Sequence, residues 1–475
     1  QMLGHSMFTE LIPKHDSCQV ERYVKSNLAD VIIYVSYDYK TDTTRKHYDY
    51  LMQLLENKSI KKLHIISCIL NSNHTLSLNL VNKFIKMDQL EYLEISETSM
   101  DAKLWWCFAR YIESNERLIY LNICEKSTEI DTIDQCEPKE VTMMATLAPS
   151  LMRSRSIRNL IVRVNDANAF VYSLQYNEHV QSITIIQNNT IPFYDACTDH
   201  ILDVLTKDEN DTICFLQFKS GLYDIGEQTT FEFSHRFIIE GEELSLTLES
   251  QHASPDKVEA LLHKYATITS LSLTYIQNNK MHSYQYHSLS FLKYLRNLTL
   301  CFEKGKSREY MHILRDVMTM TQLTSLRLIG NVKLRKDDIL LMDNFIYQNE
   351  MLKELSFRID HMDVDFLHGL LLSISRTGRI KDLTLGYNFT DHHYATFANS
   401  VQFFPLVLDS LNLQDNALTV PQLSKLANSG FNLQIERIYV PFNLEHVYAD
   451  GVKCHMESHK IPSFKYVCGK DVITL

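Results

Sequence analysis

Apolar residues recur along this chain in the order apolar-x-x-apolar-x-apolar, at intervals near 28 residues. The spacing is cleanest in the second half. There it reads LRNLTL from Leu295, LTSLRL from Leu323, LKELSF from Leu352, IKDLTL from Ile380 and LDSLNL from Leu408. The middle apolar residues, Leu298, Leu326, Leu355, Leu383 and Leu411, stand 28, 29, 28 and 28 residues apart. Each segment ends in the alternation of period two that a strand with one buried face requires. Between segments the apolar steps lengthen to three and four, the spacing of an amphipathic helix. Ile339, Leu340, Met342, Phe345 and Ile346 form one such face, opened by Asp337 and Asp338 where a helix N-terminus favours acids. Phe366, Leu367, Leu370, Leu371 and Ile374 form the next and stop at Gly378. Leu104, Phe108, Tyr111 and Ile112 repeat the design earlier, as do Val258, Leu261 and Leu262 behind Pro255. A fixed period of this size means stacked strand–helix units, each burying its apolar side against its neighbours.

The strand pattern continues outside the clean set. Moving backward it reads ITSLSL from Ile268, ELSLTL from Glu243, ICFLQF from Ile213, VQSITI from Val180 and IRNLIV from Ile157. Then come LIYLNI from Leu118, LEYLEI from Leu90, IKKLHI from Ile60 and LADVII from Leu28. IERIYV from Ile435 follows the clean set and brings the expected strands to fifteen. Three intervals are irregular. Leu121 to Leu160 spans 39 residues, which places an insertion around residues 130–149. Leu160 to Ile183 spans 23, too short for a full helix. The connection between Leu216 and Leu246 alternates at Phe231 and Phe233 like β-structure.

Strands and helices alternating at this period resemble the leucine-rich repeats of the ribonuclease-inhibitor-like class, over roughly residues 28–440. The resemblance implies an α/β fold: a horseshoe solenoid of about fifteen repeats, parallel strands concave and helices convex. Residues 1–27 and 441–475 are expected to cap the two ends, since an open solenoid exposes an apolar layer. In that family an Asn three residues beyond the last strand leucine bonds the backbone of the turn. Asn331, Asn388 and Asn416 occupy that place here, whereas Glu303, Asp360, Thr98 and Lys126 replace it elsewhere.

Alternation also names the side chains that face away from the core, and these form three zones. Lys62, His64, Tyr92, Glu94, Tyr120 and Asn122 come first; Ser182, Thr184, Ser245, Thr247, Ser270, Ser272 and Thr299 follow. The third zone holds Arg327, Glu354, Arg358, Asp382, Tyr387, Asn412, Asp415, Arg437 and Tyr439. Short hydroxyl side chains in the middle zone suit strand propensity, while Arg and Tyr are the residue types enriched in binding hot spots. The third zone is therefore the expected partner-binding site, with charges of both signs to set register.

Composition narrows the function. A net charge of −11 argues against a nucleic-acid backbone as the partner, and no apolar run is long enough for a membrane span. Ten cysteines in 475 residues are too sparse for a disulfide scaffold and suit a reducing compartment, so a cytoplasmic location is expected. No Cys-x-x-Cys, His-Glu-x-x-His, Gly-x-Ser-x-Gly or dinucleotide-binding Gly pattern occurs. Gly305-Lys306-Ser307 lacks the upstream Gly of a phosphate loop, Leu300 standing in its place. His446, Cys454, His459 and Cys468 are zinc-ligand types at spacings that match no common zinc pattern. No enzyme activity, cofactor or metal is expected. The resemblance implies a protein-interaction module binding a protein partner on its concave face. Low Gly and Pro with abundant Asn, Ile, Lys and Tyr suit an AT-rich microbial genome, hence an effector acting in a host cytoplasm. Two alternatives stand beside it: a small-GTPase activator, and a ubiquitin-ligase substrate receptor lacking its F-box segment.

Overall fold

The computed structural model describes residues 32–35, 49, 52–53, 55–56, 60–66, 68–125, 143–164, 167–187, 195–207, 211–222, 226–249, 254–276, 289–303, 311–386, 389–416, 422, 433–440, 465–468 and 471–474. They belong to two compact units, Gln1–Phe233 and Ser234–Leu475.

Unit 1 contains β1 (Ile32–Val35), β2 (Lys62–Ile66), β3 (Ile69–Leu70), β4 (Tyr92–Met100), β5 (Tyr120–Glu125), β6 (Asn159–Val164), β7 (Ser182–Gln187) and β8 (Phe215–Leu222). From β1 to β7 each pairs in parallel with the next repeat's strand, β2 and the two-residue β3 both against β4. Among the described residues the helices between them are α1 (Thr75–Phe84), α2 (Ala102–Ser114), α3 (Met143–Arg153), α4 (Asn168–Ser173) and α5 (Asp195–Thr206). The middle strand residues Leu63, Leu93, Leu121, Leu160, Ile183 and Leu216 are each no more than 1% exposed. Among its described residues, the short interval before Ile183 holds the six residues of α4 and a 3-10 turn, Leu174–Tyr176. The insertion expected at 130–149 is corrected at its end: Pro149 lies inside α3, and residues 126–142 are outside the described set.

The division between the units falls inside β9 (Gly226–Ile238), the strand foreseen from the alternation of Phe231 and Phe233, both 0% exposed. Unit 2 continues with β10 (Gly241–Glu249), β11 (Ser270–Ile276), β12 (Asn297–Glu303), β13 (Ser325–Leu334), β14 (Glu354–Met362), β15 (Asp382–Gly386), β16 (Leu406–Asn412), β17 (Leu433–Val440), β18 (Lys465–Cys468) and β19 (Asp471–Thr474). From β10 to β18 each strand pairs in parallel with the next, and β19 returns antiparallel on β18. The helices are α6 (Pro255–Lys264), α7 (Met311–Val317), α8 (Ile339–Gln348), α9 (Val364–Thr377) and α10 (Asp391–Phe403). Gly378 ends α9 at φ 63°, a left-handed C-cap that glycine adopts without strain. No helix among the described residues is long and apolar enough to cross a membrane.

All fifteen expected strands are present, seven in unit 1 and eight in unit 2: the leucine-rich-repeat pattern of parallel strands linked through helices. Two of them start in a different frame. The first pairs Ile33 with Leu63, so its repeat frame lies two residues beyond Leu28. In β10 it is Leu244, not Leu246, that pairs with Leu271. The helical face expected at Ile339–Ile346 also needs one correction. Leu340 is 69% exposed, while Met342, Phe345 and Ile346 carry the contact with the core.

Buried asparagines hold the repeats together, but mostly at a different turn from the one the family resemblance implied. Asn115, Asn177 and Asn349 each follow a helix and sit three residues before the next strand's first apolar residue. Asn349, 0% exposed, accepts from Leu323 N at 2.9 Å and donates to Met320 O at 2.6 Å and Phe345 O at 2.9 Å. Asn115 accepts from Arg117 N and Leu118 N, each at 2.8 Å. Asn177 exchanges bonds with Val180 in both directions. Of the residues named from the resemblance, Asn416 behaves as implied, donating to Leu385 O at 2.6 Å and accepting from Phe389 N. Asn388 is outside the described residues. Asp101 is a second staple, accepting from Lys103 N and Leu104 N of α2 and from Ser72 N of the preceding repeat. Burial alone would raise its pKa, but these N–H donors hold the carboxyl below its ordinary value.

Candidate functional site

Parallel register turns the outward positions of unit 2 into rows across the strands. One row runs Asn297, Ser325, Glu354, Asp382, Ser410, Arg437. The next runs Thr299, Arg327, Ser356, Thr384, Asn412, Tyr439, and a third runs Cys301, Ile329, Arg358, Gly386. Leucines 326, 355, 383 and 411 behind them are at most 1% exposed, so the rows stand on a packed sheet.

Charges in these rows engage each other. Arg327 Nη2 and Nε both lie 2.8 Å from Glu354 Oε1. Ser325 Oγ donates to the other oxygen of Glu354 at 3.0 Å. Asp382 accepts from the Ser410 hydroxyl on the neighbouring strand. Arg358 on β14 reaches past β15 to Asp415 beyond β16, with Nε 3.0 Å from Oδ2. The position between them is Gly386, whose absent side chain leaves the passage open. A Cβ there would stand 3.1 Å from Asp415 Cβ and 3.5 Å from Arg358 Cγ.

Of the nine residues expected in the site, the structure brings Arg327 together with Glu354, and Arg358 with Asp415. Asn412 spends its side-chain oxygen on the turn, accepting from Gln414 N at 3.0 Å. Arg437 and Tyr439 are half-buried on β17, where the rows pass on to Lys465 and Val467 of β18, and Arg437 Nε is buried without a hydrogen-bond partner among the described residues. Tyr387 lies outside the described residues. Cys301, in the third row, has its thiol pKa pushed up by burial and then by Glu303, which favours the protonated form.

Unit 1 carries a second cluster that the reading from sequence placed outward but did not select. Tyr92 and Tyr120, register partners on β4 and β5, stack at 4.3 Å with planes 4° apart. His64 stacks on Tyr92 at 5.2 Å and is only 8% exposed. Both groups meet Glu94: Tyr92 donates its hydroxyl to Oε2 at 3.2 Å, and His64 Nδ1 is 3.2 Å from the same oxygen. Burial lowers the His64 pKa more than the Glu94 charge raises it, so the imidazole is neutral at neutral pH. Burial, followed for Tyr92 by the neighbouring Tyr120, pushes both phenols up and keeps them protonated. The legible signal was one tyrosine at the same position of two consecutive repeats.

Among the described residues, no three His, Cys, Asp or Glu side chains gather as a metal site, and His446, Cys454, His459 and the Cys468 side chain lie outside that set. No family model matches the chain, and no curated protein matches it. Among solved structures that match is an internalin (inlF) of Listeria monocytogenes, 14% identical, covering 82% of this chain and 82% of that chain with a TM-score of 0.31. A likeness that loose carries no argument; fold and site rest on the registers and contacts above.

Proposed function

We propose that this chain is a non-enzymatic protein-binding module whose contact surface is the outward strand face of unit 2. The single observation behind this reading is the ordering of charged side chains across rungs, Arg327 on Glu354 and Arg358 on Asp415. Side chains already held in place lose less entropy when a partner docks, so more of the contact energy appears as affinity. Arg and Tyr at the third zone supply anchors, and the alternating signs reject partners of the wrong charge pattern. Tyr387, Asn412, Arg437 and Tyr439 complete the proposed contact set. Register-equivalent apolar residues 27 to 29 apart, with α7 to α10 between four consecutive pairs, favour the ribonuclease-inhibitor-like class. Among the described residues, Cys107, Cys214 and Cys301 are free thiols, which supports action in the cytoplasm, a host's if the chain is a delivered effector.

The test uses the full chain to capture partners from cell extract, followed by affinity measurement with each captured protein. Arg358→Ala and Arg327→Ala should each weaken a true partner by about 1 kcal/mol or more, while Ser272→Ala leaves it unchanged. Loss of binding on Ser272 or Thr299 substitution, with the arginine variants silent, would place the surface elsewhere.

A further inference from the structure

Glu94 differs from the outward carboxylates of unit 2 in having one oxygen spoken for and one open. Tyr92 and His64 both converge on Oε2, and among the described residues nothing donates to Oε1. The side chain is 23% exposed, so the open oxygen is reachable from solvent without being fully hydrated. No lysine or arginine among the described residues pairs with this carboxylate, and His64 does not neutralise it. Beside it stand two stacked tyrosine rings: His64 and Tyr120 cover the two faces of Tyr92, while the outer face of Tyr120 carries no ring among the described residues and can attract a cation.

We propose that Glu94, framed by His64, Tyr92 and Tyr120, is a receptor for one arginine side chain of a basic protein partner. A guanidinium is flat, stacks on an aromatic face and carries several N–H donors, so one group can lie against the outer face of Tyr120 and turn an N–H toward Oε1. An ammonium can do only one of these well. Lys62, register partner of Tyr92 on the same face, pairs with no carboxylate among the described residues and is the cation that competes for the site. Charge complementarity identifies the occupant: a single unneutralised acid beside a π surface, in a chain of net charge −11. The site lies in unit 1 and stands independently of the surface proposed for unit 2.

The full-length chain, titrated calorimetrically with end-blocked Gly-Arg-Gly, Gly-Lys-Gly and Gly-citrulline-Gly, tests this. Citrulline keeps the shape of arginine and removes its charge. The arginine peptide should bind saturably and the citrulline peptide should not. Glu94→Gln should weaken the arginine peptide by about tenfold or more, Tyr120→Leu should weaken it too, and Lys62→Ala should tighten it. Glu116→Gln, an exposed acid elsewhere in unit 1, removes the same net charge and should change nothing. Should Glu94→Gln unfold, Tyr120→Leu and Lys62→Ala still decide the matter. Equal binding of the citrulline or lysine peptide, an equal loss on Glu116→Gln, or no saturable binding at all would overturn the assignment.

Discussion

At equivalent positions of the same kind of strand, unit 1 carries rings and unit 2 carries charges. Tyr92 lies on Tyr120 at 4.3 Å, whereas Arg327 meets Glu354 at 2.8 Å. Behind both, the leucines are equally buried, Leu93 and Leu383 each at 1%. The framework therefore does not dictate what stands on it. The two faces also dispose of negative charge differently: Glu354 has both oxygens engaged, while Glu94 has one engaged by neutral donors and one open. A face of closed ion pairs recognises by pattern, and an open carboxylate beside rings recognises by a single charge.

The largest test of a shared framework is to place a charge in each core. Leu93→Asp and Leu383→Asp should each destabilise by about 4 kcal/mol in urea denaturation, since an unpaired buried carboxylate has nothing to bond. A loss under half that at either position would show that the two sheets are not built alike. Next come the turn asparagines. Asn115→Ala and Asn349→Ala should each cost about 2 kcal/mol by stranding backbone groups, those leading into the next strand for Asn115 and those of the preceding repeat for Asn349. Clearly unequal losses would separate the units at the level of their turns.

Acid sharpens the contrast on the outward face. His64 is held below the ordinary imidazole value of 6.5 by burial, so the unfolded chain takes up its proton more readily than the folded one. Its contribution is complete above that value and is lost as pH falls below it. Urea midpoints measured from pH 8 to pH 5 should fall less steeply in His64→Asn than in the wild type; identical slopes would remove His64 as the cause. The smallest expected change is in unit 2. Arg327→Ala should alter stability by less than about 1 kcal/mol, because the pair is solvent-exposed. A greater loss would make that ion pair a structural strut instead of a contact surface.

Most of the framework was legible because leucines at a fixed period leave little choice of strand. The frame slipped at Glu243–Leu248 for a physical reason. Apolar residues at 244, 246 and 248 fit the pattern equally well two residues apart, and only pairing with Leu271 decides. Leu340 misled because Ile339-Leu340-Leu341-Met342 is apolar all round the helix and does not announce which side is inward. The turn asparagines were readable and unread: NERL at 115, NEHV at 177 and NEML at 349 share one form. Residue types at the candidate site could be taken from the sequence, but their partners could not. Alternation tells which way Arg358 points, not that a missing side chain on the strand between, at Gly386, lets it meet Asp415.

That gap at Gly386 has a consequence for how the array comes apart. A repeat protein is commonly treated as a one-dimensional chain in which each unit feels only its immediate neighbours. Two strand spacings are about 10 Å, within reach of an extended arginine once nothing stands between. The Arg358–Asp415 contact is therefore a second-neighbour interaction, and Gly386 is what permits it. Repeats on either side of β15 cannot be exchanged, deleted or duplicated as independent modules without breaking it. When the array unzips from its C-terminal end, loss of the repeat bearing Asp415 is felt two units inward, one step further than nearest-neighbour cooperativity allows.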